Sequence, residues 1–151
     1  MTKVLLFAGL LAVPVGVSVS QGAARVTVNE DDPRLERLEQ FFAERNCPLR
    51  DAAAEFLIAA DENRLDWRLL PSLAIIESSG GKDYTNNNVF GWDSCRESFD
   101  SVVSGIHFVA DRLANSKTYK DKGLNEKLRT YNPLPDYPAK VKAVMNSLGG
   151  N

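Results

Sequence analysis

One glutamate stands out among the residues whose chemistry could be catalytic. Glu77 follows Leu70, Leu73 and Ala74 at helical spacing, so its side chain shares a helical face with apolar residues. It also closes its predicted helix, where the partial negative charge of the helix dipole disfavours a carboxylate. Burial and the dipole both favour the protonated form, so we expect a raised pKa for Glu77. A carboxylic acid that keeps its proton near neutral pH can protonate the leaving oxygen of a glycosidic bond.

A structural role for Glu77 is the alternative. A glutamate at a helix end commonly faces solvent or pairs with an arginine, and Arg112 is a candidate partner. The residues that follow Glu77 favour the catalytic interpretation.

Three segments, taken in order, resemble a known family. Residues 73–81 read LAIIESSGG, residues 88–92 read NVFGW, and Tyr131-Asn132 follows near the C-terminal end. This ordered set resembles the catalytic segments of bacterial lysozyme-superfamily domains, which include soluble lytic transglycosylases and endo-β-N-acetylglucosaminidase-like domains. Residues 137–148 are similar to the closing helix of such domains, and the resemblance spans roughly residues 49–148.

The resemblance implies roles around the acid. Glu77 would be the general acid and later the general base. Tyr131 would orient Glu77 or the N-acetyl group of the substrate, with Asn132 supporting it. Ser78 and Ser79 would supply hydroxyl groups near the acid.

The resemblance also implies a groove wall built from the NVFGW segment. Asn88 belongs to its turn, and Phe90, Gly91 and Trp92 would shape the sugar groove, with Trp92 stacking on a pyranose ring. Phe90 and Trp92 as core aromatics is the alternative, and Trp67 is predicted to pack in the core.

Several residues depart from the transglycosylase pattern. Ile76 stands where a glutamine usually precedes the acid, residues 90–92 replace a Gly-Leu-Met-Gln turn, and Pro133 follows the Tyr-Asn pair. These differences favour the glucosaminidase-like relatives.

The route of cleavage depends on a second carboxylate. Inverting and retaining hydrolases use two carboxyl groups, and Asp83, Asp93 and Asp100 are candidates by proximity in sequence. A lytic transglycosylase needs one acid, because the sugar's own hydroxyl closes the ring. The single prominent glutamate favours transglycosylase-type or N-acetyl-assisted cleavage, and no metal or organic cofactor is indicated.

A non-catalytic glycan-binding or envelope-scaffold protein with the same fold is the rival hypothesis. An enzyme needs Glu77 in an open groove, close to Tyr131 and unpaired with arginine or lysine. A scaffold has no such need.

The elements that must position these residues are helices. Apolar residues recur at helical spacing in six segments, which predicts a mainly α fold of about six helices in a single domain. The resemblance implies that this domain is lysozyme-like, and the irregular segment after Glu77 is expected to form a small hairpin or loop lobe beside the groove. The predicted helices span residues 33–45, 53–63, 67–77, 99–113, 124–131 and 136–148.

Composition and charge bound the remaining possibilities. The 151 residues are 44% hydrophobic and 25% charged, with a net charge of −2. This composition is typical of a globular protein, and the charge provides no cationic field for nucleic acid. The partner that the resemblance implies is peptidoglycan or a related N-acetylglucosamine-containing glycan, and we expect a monomer.

The N-terminal segment predicts export. A minimal basic start precedes an apolar run over residues 4–19 and then small residues, which together read as a signal peptide over residues 1–24 with cleavage between 20 and 24. An uncleaved anchor is the alternative. We expect a periplasmic or extracellular protein without stable membrane insertion, a mobile lead-in over residues 25–31 and the glycan-cleaving domain over residues 32–148.

Export affects the interpretation of the two cysteines. Cys47 and Cys95 form the one possible pair, and an oxidising compartment favours a disulfide between them. A nucleophilic cysteine is the rival, but the sole histidine, His107, has no evident link to either thiol. Two cysteines and one histidine are too few for a closed zinc site.

Overall fold

The computed structural model describes residues 26–149 and is mainly helical. Its six α-helices confirm the predicted fold class, and residues 26–149 contain no β-strand. The helices are α1 (Pro33–Glu44), α2 (Ala53–Glu62), α3 (Leu69–Ser78), α4 (Val102–Asn115), α5 (Leu124–Tyr131) and α6 (Tyr137–Ser147), with a 3₁₀ helix (Pro48–Ala52) between α1 and α2. The predicted signal peptide lies outside the described residues.

α3 is the central helix. Seven of its ten residues are buried, and it packs against α2 on one side and α6 on another. An apolar surface nearly all round a helix requires partners on several sides, as predicted for this segment. Glu77 in its last turn is therefore held by a rigid, buried element.

The ends of α3 are fixed by local hydrogen bonds. The Asp66 carboxylate accepts from the Arg68 N–H at 3.0 Å, and Pro71 lies in the first turn, where a missing N–H costs least. Ser79 ends the helix in the left-handed conformation, with φ of 52°. The next residue, Gly80, has φ of 72° and donates its N–H to the Ala74 carbonyl at 3.1 Å.

A chain of aromatic rings forms one part of the core. Phe42 packs on Phe56 with ring centroids 5.7 Å apart, and Phe56 packs on Phe90 at 6.2 Å. All three side chains are fully buried. The core therefore extends from α1 through α2 to the loop that follows α3, and Trp67 is also buried in it, as predicted.

The segment between α3 and α4 is an ordered loop rather than a hairpin. Asn88 is buried in it and forms three side-chain hydrogen bonds. Its amide donates to the carbonyls of Trp92 (2.9 Å) and Glu97 (3.2 Å), and its side-chain oxygen accepts from the Trp92 N–H (2.9 Å). These bonds place the Gly91-Trp92 turn beside the end of α3.

The predicted disulfide is wrong for this structure, because both cysteines are free thiols. Cys47 is buried before the 3₁₀ helix, and its thiol faces the Ser79 carbonyl at 3.7 Å. Cys95 is exposed in the loop after Trp92, where its Sγ would lie 3.9 Å from a Cβ atom on Gly91. The two thiols therefore lie in different parts of the structure: Cys47 is buried next to the Ser79 carbonyl, and Cys95 is exposed in the loop that lines the groove.

Within residues 26–149, no helix has the length and apolar character needed to cross a membrane.

Candidate active site

An open groove of about 880 Å³ runs past the end of α3. Its walls come from Glu77 at the end of α3, the 91–97 loop, one face of α4, residues 118–119 and the segment 131–133 after α5. The groove therefore collects side chains from the middle and the end of the chain around one carboxyl group.

Glu77 is partly buried in this groove and is held at one oxygen. The Tyr137 hydroxyl donates to Glu77 Oε1 at 2.5 Å. Burial raises the pKa of the Glu77 carboxyl above its ordinary value, while the hydrogen bond from Tyr137 acts in the opposite direction and is the smaller effect. The pKa of Glu77 is thus raised, as its apolar helical face predicted.

Glu77 forms no ion pair with any arginine or lysine among residues 26–149. Arg112, the partner considered in the structural alternative, lines the groove but lies over the Phe108 ring, with its Cζ 4.9 Å from the ring centroid. A cation bonded to Glu77 would stabilise the carboxylate and lower its pKa.

Gly91 faces the other oxygen of the acid. A Cβ atom on Gly91 would lie 3.1 Å from Glu77 Oε2, and its φ of 59° is a conformation that side-chain-bearing residues adopt at a cost. A Cβ atom on Gly91 would therefore carry a backbone cost and would also lie close to Oε2 of the acid. Its absent side chain leaves Oε2 accessible from the groove.

Tyr131 and Tyr137 form a stacked pair of rings next to Glu77. The rings of Tyr131 and Tyr137 are nearly parallel, at 10°, with centroids 6.0 Å apart. Tyr131 donates its hydroxyl to the Phe90 carbonyl at 2.5 Å, so the hydroxyl that contacts Glu77 belongs to Tyr137. Burial raises the pKa of both phenols, and both therefore remain hydrogen-bond donors.

Sequence reasoning missed Tyr137 as a contact of the acid. It stands 60 residues from Glu77 and opens α6 after a proline-containing turn. Only the packing of α6 against α3 brings the hydroxyl to the carboxyl. A tyrosine at a helix start is otherwise an ordinary amphipathic residue, so the sequence carries no local signal for it.

Trp92 lies in the groove wall, whereas the Phe90 side chain does not reach the groove. Trp92 is partly buried and makes edge contacts with Phe108 (6.1 Å between centroids) and Tyr131 (5.6 Å). Phe90 is fully buried, which agrees with its alternative interpretation as a core aromatic. It contributes to the site through its backbone carbonyl.

The two serines after Glu77 do not line the groove. The Ser78 hydroxyl is buried, donates to the Ala74 carbonyl at 2.9 Å and accepts from the Gly81 N–H at 3.1 Å. Ser79 is exposed at the helix end. Neither serine therefore contributes to the groove lining, and the Ser78 hydroxyl bonds back to its own helix.

Asn88 and Asn132 have different positions. Asn88 is buried and shapes the loop, as described above, rather than facing the groove. Asn132 lies in the groove wall, and its side-chain oxygen accepts from the Leu134 N–H at 3.1 Å.

Two further acids line the groove. Asp93 is paired with Arg96 at 2.6 Å, and Glu97 is partly buried. The other candidates for a second carboxylate, Asp83 and Asp100, are not among the groove residues. No group of three or more potential metal-ligating side chains occurs within the part of the chain that the structure describes.

Neither protein-family models nor curated protein sequences match this chain.

Proposed function

We propose that this protein is an exported, lysozyme-like enzyme that cleaves β-1,4 bonds between N-acetylated amino sugars of peptidoglycan. The observation that carries the proposal is the state of Glu77: a partly buried carboxyl with a raised pKa, facing an open groove and forming no ion pair among the described residues. A structural glutamate has no need of this combination. The apolar run over residues 4–19 supports export to the compartment that holds the wall.

The two oxygens of Glu77 have distinct roles in this proposal. Oε1 accepts the hydrogen bond from Tyr137, which fixes the carboxyl plane. Oε2 lies beside Gly91, where no side chain blocks the groove, and carries the proton. Bond cleavage transfers that proton to the leaving glycosidic oxygen as the anomeric carbon becomes oxocarbenium-like.

The proposed route uses Glu77 as its single acid. Of the other groove carboxyls, Asp93 lies in an exposed ion pair with Arg96 at 2.6 Å, and Glu97 is the carboxyl that the control variant below removes. In the transglycosylase route, the sugar's own 6-hydroxyl attacks its anomeric carbon as the glycosidic bond breaks. The Glu77 carboxylate, having given its proton to the leaving oxygen, then takes the proton of that hydroxyl, and an anhydro sugar results.

Product analysis tests this proposal. Purified peptidoglycan is incubated with the mature wild-type protein, with Glu77→Gln and with Glu97→Gln, and the soluble products are identified by mass spectrometry. We expect anhydro-muropeptides from the wild type and none from Glu77→Gln. Glu97→Gln is the matched control, since it removes another groove carboxyl, and should retain the same products.

Other products would change the conclusion in defined ways. Reducing ends without anhydro products would show a hydrolase and contradict the transglycosylase route. Folded wild-type protein that releases nothing from several wall preparations would contradict the enzyme and favour a glycan-binding or scaffold protein.

A further inference from the structure

The groove contains an uneven set of charges. Among the described residues that line it, Glu77, Asp93 and Glu97 are acidic and Arg112 is the one cation. Asp93 is already compensated by Arg96, which lies outside the groove lining. Arg112 is therefore the described residue of the groove lining whose charge favours a negatively charged ligand group.

Arg112 is held in place by aromatic packing rather than by an acid. Its guanidinium lies over the Phe108 ring, and Phe108 in turn packs on Trp92, at 6.1 Å between centroids. No described carboxylate forms an ion pair with Arg112. A guanidinium that packs on a ring and forms no ion pair retains N–H donors that can bind a carboxylate through two parallel hydrogen bonds.

Arg112 also lies in the last turn of α4, and this position could by itself explain why a cation is present. A positive charge there is favoured by the helix dipole. Lysine satisfies the dipole as well as arginine does, but lysine lacks the planar fork that binds a carboxylate at two points. The two roles are thus separable by substitution.

We propose that Arg112 binds a carboxylate carried by the glycan and thereby makes the groove selective for acidic strands over neutral ones. The inference rests on the proposed function. Peptidoglycan and chitin oligosaccharides both contain β-1,4-linked N-acetylglucosamine. Peptidoglycan adds a lactyl group on alternate sugars, which ends in a carboxylate when bare and in a carboxylate-bearing peptide when substituted.

Binding measurements on an inactive background test this selectivity. Affinities of Glu77→Gln are measured by calorimetry for three probes of equal sugar number: a chitin oligosaccharide, a peptide-free muramyl oligosaccharide and a peptide-bearing one. Arg112→Gln on this background should weaken carboxylate-bearing probes roughly 10- to 100-fold, the value of a charge-assisted hydrogen-bonded pair. It should leave chitin binding unchanged.

Two further variants serve as controls. Arg112→Lys keeps the charge and should recover part of the affinity. Arg50→Gln makes the same charge change at an exposed position on the 3₁₀ helix, away from the groove, and should change no affinity. Thermal unfolding of each variant establishes that the protein remains folded.

The outcomes separate the inference from the proposed function. Loss of affinity for the bare probe identifies the lactyl carboxylate, and loss for the peptide-bearing probe alone identifies the peptide carboxylate. Equal weakening of all three probes by Arg112→Gln, or no weakening of any, overturns the inference. Cleavage of the same probes is measured with Glu77 present. No cleavage together with Arg112-dependent binding overturns the proposed cleavage, while the binding data still show that Arg112 selects carboxylate-bearing strands.

Discussion

The Tyr137 hydroxyl holds Glu77 Oε1 and leaves Oε2 facing the groove. Tyr137→Phe removes this bond and should reduce kcat roughly 10- to 100-fold, because a misplaced acid loses its approach to the leaving oxygen. Since the bond lowers the pKa of Glu77, its removal raises that pKa. Activity that requires protonated Glu77 falls as pH rises through the pKa, so the alkaline limb of the kcat profile should move to higher pH.

The pH dependence of kcat for Tyr137→Phe distinguishes this role from a packing role. Tyr84→Phe, at an exposed tyrosine outside the groove, is the matched control and should leave the profile unchanged. An alkaline limb that stays in place or moves to lower pH in Tyr137→Phe would contradict the assignment.

Gly91 combines a left-handed backbone with a close approach to the acid. Gly91→Ala should lower the free energy of unfolding by about 1–2 kcal/mol, the cost of a Cβ atom in that conformation. The kcat of Gly91→Ala should fall further than the loss of folded protein accounts for, because the new methyl group lies against Glu77 Oε2. Gly123→Ala is the control: its φ is −69° and its new Cβ would approach nothing closer than 3.9 Å. Unfolding curves and kcat are measured on both, and a Gly91→Ala enzyme with wild-type kcat would contradict the open face assigned to Oε2.

The candidate acid could be predicted from the sequence, but its hydrogen-bond partner could not. Glu77 is visible because an apolar helical face with one carboxyl is unusual. Tyr137 depends on how α6 packs against α3, which no short-range pattern encodes. For Ser78, the sequence predicted a contact that the structure does not show. The resemblance of its segment to the lysozyme superfamily suggested a hydroxyl in the groove, but this hydroxyl donates to the Ala74 carbonyl of its own helix.

Helix boundaries were predicted well where a residue of defined backbone preference marks them. α1 begins at Pro33 after the Asp32 cap, and α5 spans Leu124–Tyr131, as predicted. α4 begins later than the prediction at Phe99, because Ser101 caps the helix. Phe99 continues the apolar spacing but bonds instead to the Asn86 carbonyl at 3.0 Å.

The cap of α4 also bears on function, because α4 carries Phe108 and Arg112 to the groove. Ser101 Oγ accepts from the Ser104 N–H at 3.0 Å, and Ser104 Oγ accepts from the Ser101 N–H at 3.0 Å. Ser101→Ala should lower the free energy of unfolding by about 1 kcal/mol, the usual cost of losing such a cap. Chemical denaturation measures it against Ser98→Ala, an exposed serine outside the helix. Equal stability of the two variants would contradict the capping role.

The loop between α3 and α4 was the least predictable element. Its path depends on left-handed residues, among them Asn86, Asn87 and Asp93, and on the three bonds of the buried Asn88 side chain. Neither feature has a period that hydrophobicity could reveal. The sequence therefore predicted a hairpin or a loop beside the groove and left the choice open, and the structure shows the loop.

At the scale of the whole molecule, the state of the cysteines distinguishes the structure from the sequence-based expectation. The expected oxidising compartment and the presence of two cysteines favoured a disulfide between Cys47 and Cys95. Neither consideration says how far apart the two thiols lie in the folded protein. The structure places one thiol in the core and the other at the groove. Without a covalent link, the helical packing alone must hold the groove together.

Thiol labelling tests this arrangement. The native protein should react with one equivalent of a maleimide at Cys95, and with a second at Cys47 only after unfolding, because burial shields that thiol and raises its pKa. Mass spectrometry counts the adducts, and a reductant should leave the unfolding midpoint unchanged. A protein that reacts with the maleimide only after reduction would contradict the free thiols and support a disulfide between the two cysteines.

The central claim, that Glu77 performs chemistry in a glycan groove, is tested most directly by separating binding from cleavage in Glu77→Gln. Insoluble peptidoglycan is mixed with wild-type or variant protein, and one sample yields both the protein that sediments with the wall and the sugar released into solution. We expect Glu77→Gln to sediment as the wild type does but to release no sugar, while the wild type releases it. Release by Glu77→Gln at the wild-type rate would contradict the claim.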